Sequence, residues 1–263
     1  MSSHALLFFL GYLGTGFLSG LLAGLFGLGG GIVVVPALIF LFGQLGVASD
    51  WITHLAVGTS LTTILGTGTA SVLAHHRRNA VRWDLFRKLA GWMLVGGWLG
   101  ASIAGFLPRD WLQRLFGGFL IFVGIRMLQA SGGMIQRVRP VAGWMGLGIG
   151  SLSALVGIGG GTLTVPLLAR AGVPLPKAVG TASACGLPIA LSGALGFLLS
   201  GWGQADLPSG STGFIYWPGV LGILLSSLPS ASLGARLAHQ LPLHWLRRLF
   251  ALLLFTVALR LLY

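Results

Sequence analysis

The chain has 263 residues, 55% hydrophobic and 8% charged, and its mean hydropathy of +0.91 excludes a soluble globular domain. Its formal charge of +12 comes from 16 Lys and Arg against 4 Asp and Glu, but the basic residues fall in short loops between apolar runs, which fits a membrane protein and not a nucleic-acid binder. A single cysteine, Cys185, excludes an intrachain disulfide and a cysteine-only metal site.

In chain order, a first apolar span at about 5–26 runs into a glycine-rich decapeptide, Gly27 to Pro36 (GLGGGIVVVP), and a short apolar piece at about 32–42. Met1 to Ala5 carries no Lys or Arg, so no cleavable signal is expected. Further spans are predicted at about 54–74, 89–106 and 112–128, the first of them containing Val57-Gly58-Thr59-Ser60. The pattern then repeats. A span at about 141–156 runs into Gly157 to Pro166 (GIGGGTLTVP), followed by a short piece at about 162–170. A span at about 178–199 contains Val179-Gly180-Thr181-Ala182-Ser183, and spans at about 216–237 and 243–262 close the chain. Gly100 to Gly117 also aligns without a gap on Gly234 to Ala251.

These matches read as an internal duplication with units 1–134 and 135–263. The fold expected is an all-α polytopic membrane protein of two inverted repeats, with about eight full spans and two short or re-entrant helices after glycine breaks. Arg77, Arg78, Arg82, Arg87 and Lys88 place loop 75–88 in the cytoplasm, as Arg126, Arg137 and Arg139 place loop 129–140 and Arg170 with Lys177 place a third. Segment 200–214, with no Lys or Arg, reads as external, and both termini then fall outside. Arg109, Arg114 and Arg260 run against this pattern as span-end residues that snorkel. Trp51, Trp83, Trp111, Trp202, Trp217 and Trp245 sit near span ends, as an aromatic belt requires.

The residue types point to an anion. Glycine runs let successive N–H groups converge into a concavity, and the helix beginning after each run directs its partial positive charge to the same place. Close helix packing is the alternative use of such glycines. Thr59 and Ser60, with Thr181 and Ser183, supply hydroxyls at equivalent depth in the two repeats, for an oxyanion or for bonds back to their own helices. Of the acids, Asp50, Asp84, Asp110 and Asp206, none is placed mid-membrane, where proton and sodium sites normally use one. His54 is the remaining titratable candidate, Cys185 reads as a small buried thiol, and Pro188 is expected to kink its helix. No nucleophilic triad, Walker loop, metal cluster or cofactor site is present in the pattern, so no enzyme activity is expected.

Gly20 to Pro36 and Gly150 to Pro166, each followed by a VGT(A)S segment, resemble the sulfite exporter TauE/SafE family, also called the toluene sulfonate uptake permease family. The resemblance covers essentially the whole chain. It implies a carrier of the bacterial or archaeal cytoplasmic membrane for sulfite, thiosulfate, sulfoacetate and other sulfonates. The matching positions, and hence the substrate-binding residues it implies, are Gly27, Gly29, Gly30, Gly31, Thr59, Ser60, Gly157, Gly159, Gly160, Gly161, Thr181 and Ser183. Export is the leading direction, because an inside-negative potential of about 100 mV contributes about 2.3 kcal/mol per negative charge moved outward. Two other readings stay open: a proton-coupled uptake permease for thiosulfate, sulfonate or carboxylate, and a non-transporting membrane assembly protein. The partners implied are the small anion and the lipid bilayer, with a homodimer left open and no nucleic acid.

Overall fold

The computed structural model describes residues 3–26, 30–129, 140–237 and 243–262, and it is 82% helical. Ten α-helices occur among the described residues: α1 (Ser3–Phe26), α2 (Gly31–Gln44), α3 (Ile52–Arg77), α4 (Trp83–Phe106), α5 (Arg109–Gln129), α6 (Met145–Val156), α7 (Gly161–Arg170), α8 (Leu175–Ser200), α9 (Trp217–Leu237) and α10 (Leu243–Leu262). A short antiparallel ribbon, β1 (Ser211–Thr212) and β2 (Ile215–Tyr216), precedes α9, with Ser211 opposite Tyr216 and Thr212 opposite Ile215.

Helices α1, α3, α4, α5 and α8 are long and apolar enough to cross a bilayer. Both short pieces expected after the glycine runs are helical, as α2 and α7. The span expected at 141–156 is shortened. Its helix begins only at Met145 and has 12 residues, about 18 Å of rise, because Pro140 and the turn at Gly143–Trp144 hold the preceding chain out of the helix. Helix α4 starts earlier than its apolar run, since the charged stretch from Trp83 to Lys88 is good helix-forming sequence with Asp84 in the first turn. Helix α8 continues unbroken through Pro188.

Lipid gives helices no hydrophobic reason to associate, so close approach must come from small residues and local polar bonds. Gly16 and Gly20 of α1 lie against the backbone of Ile223 and Ser227 in α9, and the two helices run parallel. Gly146 and Gly150 of α6 lie in the same way against Leu89 and Met93 of the parallel helix α4, while Ser151 Oγ donates to Gly96 O at 3.1 Å. By contrast α3 and α8 run antiparallel, with Gly58 on Phe197, Leu61 on Gly193, Gly68 on Leu187 and Ser71 on Ser183. Helices α5 and α10 are also antiparallel, Gly117 meeting Leu262 and Gly124 meeting Phe255.

The buried centre lies around α2, α3 and α8, where Val35, Leu38, Leu55, Val57, Leu61, Ile189 and Phe197 are fully enclosed. Trp92, Trp98, Leu99, Ile103 and Phe106 of α4 face outward, as a lipid-facing surface requires. Trp83, Trp111, Trp202 and Trp217 are exposed near helix ends.

Candidate functional site

Gly27 and Gly29 lie outside the described residues. Of the remaining sequence-selected glycines, Gly30 precedes α2 and its carbonyl accepts the N–H groups of Val33 and Val34, each at 3.1 Å. The second glycine run is a tight turn. Gly157 ends α6 at φ +74° and Gly160 opens α7 at φ +71°, backbone angles that favour glycine. The Ile158 N–H donates to Ser153 O at 2.8 Å, the Gly160 N–H to Ile158 O at 2.9 Å, and the Gly160 carbonyl takes the Leu163 and Thr164 N–H groups to start α7.

The two glycine segments meet. A Cβ on Gly31 would stand 2.5 Å from Gly157 O and 3.1 Å from Ile158 Cα, so only hydrogen fits between them. Ile64 of α3 covers both Gly31 and Gly159, and Gly186 of α8 presses on the Gly159 carbonyl. Ser60 Oγ donates to Gly157 O at 2.8 Å. Gly31, Ser60, Gly157, Gly159, Gly160 and Gly161 are thus gathered near mid-length of α3 and α8, where α7 presents its N-terminus. Thr164, which the sequence reading passed over, belongs to this group. Its side chain is fully buried, its hydroxyl has no hydrogen-bond partner, and it lies on the Gly160 side of α7. The signal was available, because GIGGGTLTVP has threonine where the first copy has Val34.

The four expected hydroxyls do not converge. Because α3 and α8 are antiparallel, residues at like positions fall at opposite ends: Gly58 meets Phe197 while Ser71 meets Ser183, a separation of roughly 20 Å along the pair at about 1.5 Å per residue. The equivalent depth expected of Thr59 and Thr181 is therefore corrected. Thr59 Oγ1 accepts the Tyr216 N–H at 3.0 Å; Thr181 Oγ1 accepts the Arg82 N–H at 2.9 Å and donates to Lys177 O at 2.6 Å. Ser183 Oγ donates to Val179 O and accepts from Ser71 Oγ, each at 3.1 Å. Only Ser60 reaches a glycine turn.

The loops that reach these threonines share one conformation. Asn79 and Gly213 have positive φ, 51° and 54°. The next residues, Ala80 and Phe214, donate N–H to His75 O and Phe197 O at 3.0 and 3.2 Å. Their carbonyls press on Gly180 and Gly58, and two residues later come the N–H groups of Arg82 and Tyr216.

Among the described residues, no charged side chain is among the nearest neighbours of Gly30, Gly31, Gly157, Gly159 or Gly160. Arg82 forms a bidentate pair with Asp84 at 2.8 and 2.7 Å, exposed and therefore of little value to stability, and Asp84 holds the Arg82 guanidinium still more firmly protonated. His54 is buried with Nε2 at 3.0 Å from Ala104 O and 3.2 Å from Leu107 O, two carbonyl acceptors that call for a proton on Nε2. Cys185 is a buried free thiol. No cluster of metal-ligating side chains occurs among the described residues.

A family model described as sulfite exporter TauE/SafE matches residues 12–261. A probable membrane transporter protein of Haemophilus influenzae is 35% identical over 250 residues, 93% of this chain and 94% of the relative. Another, of Methanocaldococcus jannaschii, is 30% identical over 239 residues, covering 86% and 85% of the two chains. A third, YdhB of Bacillus subtilis, is 25% identical over 236 residues, covering 86% and 89%. No solved structure matches the chain.

Proposed function

The chain belongs to the sulfite exporter TauE/SafE family of multi-pass membrane transporters, and from that premise we propose that it is a secondary carrier exporting small sulfur-containing oxyanions, sulfite, sulfoacetate or other sulfonates, across the cytoplasmic membrane. The observation that carries this reading is the meeting of the two glycine segments, Gly31 on Gly157 and Ile158, beside the N-terminus of α7 and the buried hydroxyl of Thr164. A buried hydroxyl without a partner is costly unless something else bonds to it, and an oxyanion oxygen is a suitable acceptor. Neutral N–H and O–H donors suit a carrier, since a fixed buried cation would hold the anion too firmly to release it.

Two inverted repeats, 1–134 and 135–263, supply the framework. The antiparallel run of α3 against α8 supports inversion, because these helices hold the matched VGT segments. The matched contacts of α1 with α9 and of α6 with α4 support it further. In this arrangement both termini are external, and loop 75–88 and segment 200–214 face opposite sides. Thr59 and Thr181 hold loops at the two ends and Ser60 spends its proton on the Gly157 carbonyl, leaving the Thr164 hydroxyl and the first turn of α7 as the substrate donors.

Equilibrium binding of sulfite, thiosulfate, sulfoacetate, taurine and acetate to the purified carrier tests the ligand class. Sulfite or a sulfonate is expected to bind more tightly than acetate, and binding is expected to be lost in Gly160→Ala. Preference for acetate, or binding unchanged in the variant, would remove the site. Proton-coupled uptake through His54 would instead make flux follow an imposed pH gradient.

A further inference from the structure

We propose that the two threonine-held loops are the gates of the carrier, the Arg82–Thr181 contact closing the cytoplasmic end and the Tyr216–Thr59 contact the outer end, and that they release one at a time. This rests on the transport and topology reading above. The register that matches Gly100 with Gly234, carried back along the chain, pairs Asn79 with Gly213, Ala80 with Phe214 and Arg82 with Tyr216. The VGT register pairs His75 with Phe197, Gly180 with Gly58 and Thr181 with Thr59. Each feature of one loop is therefore repeated at the other end: the positive φ, the N–H to the end of the preceding helix, the carbonyl packed on a glycine, and the N–H to a threonine oxygen.

Each contact also joins the two halves of the chain. Thr59 of the first half holds Tyr216, 157 positions away, and Thr181 of the second holds Arg82, 99 positions away. A movement of one half against the other must therefore break these bonds. In each the polar tie is a single neutral hydrogen bond beside a glycine contact, and breaking one such bond costs little enough for a working cycle.

The two ends are not equally closed. At the outer end Phe214 stacks at 5.2 Å from both Trp51 and His54, and Tyr216 lies 5.5 Å from Phe42 and 6.0 Å from Tyr12. At the other end Phe214 is replaced by Ala80, and a cavity of about 200 Å³ opens beside Arg82, lined also by Leu85, Val141, Ala171 and Val173. The Arg82 contact therefore lacks the aromatic cover of the Tyr216 contact, a difference that fits a carrier awaiting substrate from the cytoplasm.

The test uses the full-length protein with Cys185→Ser and one reporter cysteine, Val81→Cys or Ile215→Cys, at matched positions beside the two contacts. Thr181→Val is expected to raise the maleimide-labelling rate at position 81 about fivefold and leave 215 unchanged, with Thr59→Val doing the reverse, as expected for losing one neutral hydrogen bond. Thr→Ser at either site, which keeps the hydroxyl, is expected to restore the parent rates. Unchanged rates, or a rise at both reporters in each variant, would overturn the gates. In the protein with both threonines intact, hydrogen exchange at Arg82 and Tyr216 is expected to change in opposite senses on adding sulfite or sulfoacetate; changes in the same sense would overturn them too. Anion flux through the same variants separates the two readings. Labelling as expected with no flux retains the one-at-a-time release and removes the transport reading, whereas flux with silent reporters removes the gates alone.

Discussion

At Gly160 a methyl group would meet Ile189 Cδ1 at 2.5 Å on a backbone with φ +71°, and at Gly31 it would meet the Gly157 carbonyl, which cannot rotate away. Gly31→Ala and Gly160→Ala are expected to cost about 1–3 kcal/mol of stability and to abolish transport. Gly43→Ala and Gly118→Ala, with nothing within 4 Å, should stay within about 0.5 kcal/mol. Thermal unfolding in detergent beside a flux assay checks both pairs, and equal effects at all four positions would deny the glycine turns any special place. Thr164→Val separates two roles of one hydroxyl. A purely structural threonine with no partner should be neutral or stabilising by about 1 kcal/mol when replaced, whereas a ligand donor should lose about 0.5–3 kcal/mol of anion affinity. The glycine motif was legible in the sequence because positive φ at Gly157 and Gly160 and the close approach at Gly31 demand that residue type. The use of Thr59 and Thr181 was not, since their partners are peptide N–H groups that any residue supplies, and Tyr216 and Arg82 stand far away in the chain.

The apolar runs located nearly every helix, and the glycine breaks located α2 and α7. Two boundaries escaped: α4 extends back through charged residues to Trp83, because hydropathy is blind to a helix end that stands outside the lipid, and α6 waits for Met145. Pairing of helices was even less legible, since a glycine in lipid-facing sequence looks the same as one in an interface. Gly14 and Gly16 illustrate the point. Gly14 has nothing within 4 Å, but Gly16 lies against the Ile223 backbone. Gly148 and Gly150 repeat that contrast on α6, with Gly150 against Met93. Gly16→Leu and Gly150→Leu are therefore expected to destabilise by about 1–3 kcal/mol or more, and Gly14→Leu and Gly148→Leu to be tolerated. Unfolding midpoints that fail to separate the two members of each pair would contradict the parallel α1–α9 and α4–α6 packing.

For the molecule as a whole, the proposed inversion makes an immediate statement about sidedness. Single cysteines at Arg78 and Ser209, in a Cys185→Ser background, should label from opposite faces of the membrane, and labelling of both from one face would end the inverted arrangement. The duplication is read from three matched segments that repeat in order; the meeting of the two glycine segments was not legible there, because nothing in either copy states which part of the other it will touch. That meeting point is the proposed seat of anion transport, and one measurement addresses it directly. The protein, reconstituted into vesicles loaded with radiolabelled sulfite or sulfoacetate, is given an inside-negative potential and its efflux compared with that of Gly160→Ala and of protein-free vesicles. Efflux faster than from protein-free vesicles, accelerated by the potential and lost in Gly160→Ala, is the expected result. No efflux of either anion, or equal efflux through the variant, would contradict a sulfur-oxyanion exporter built on the paired glycine turns.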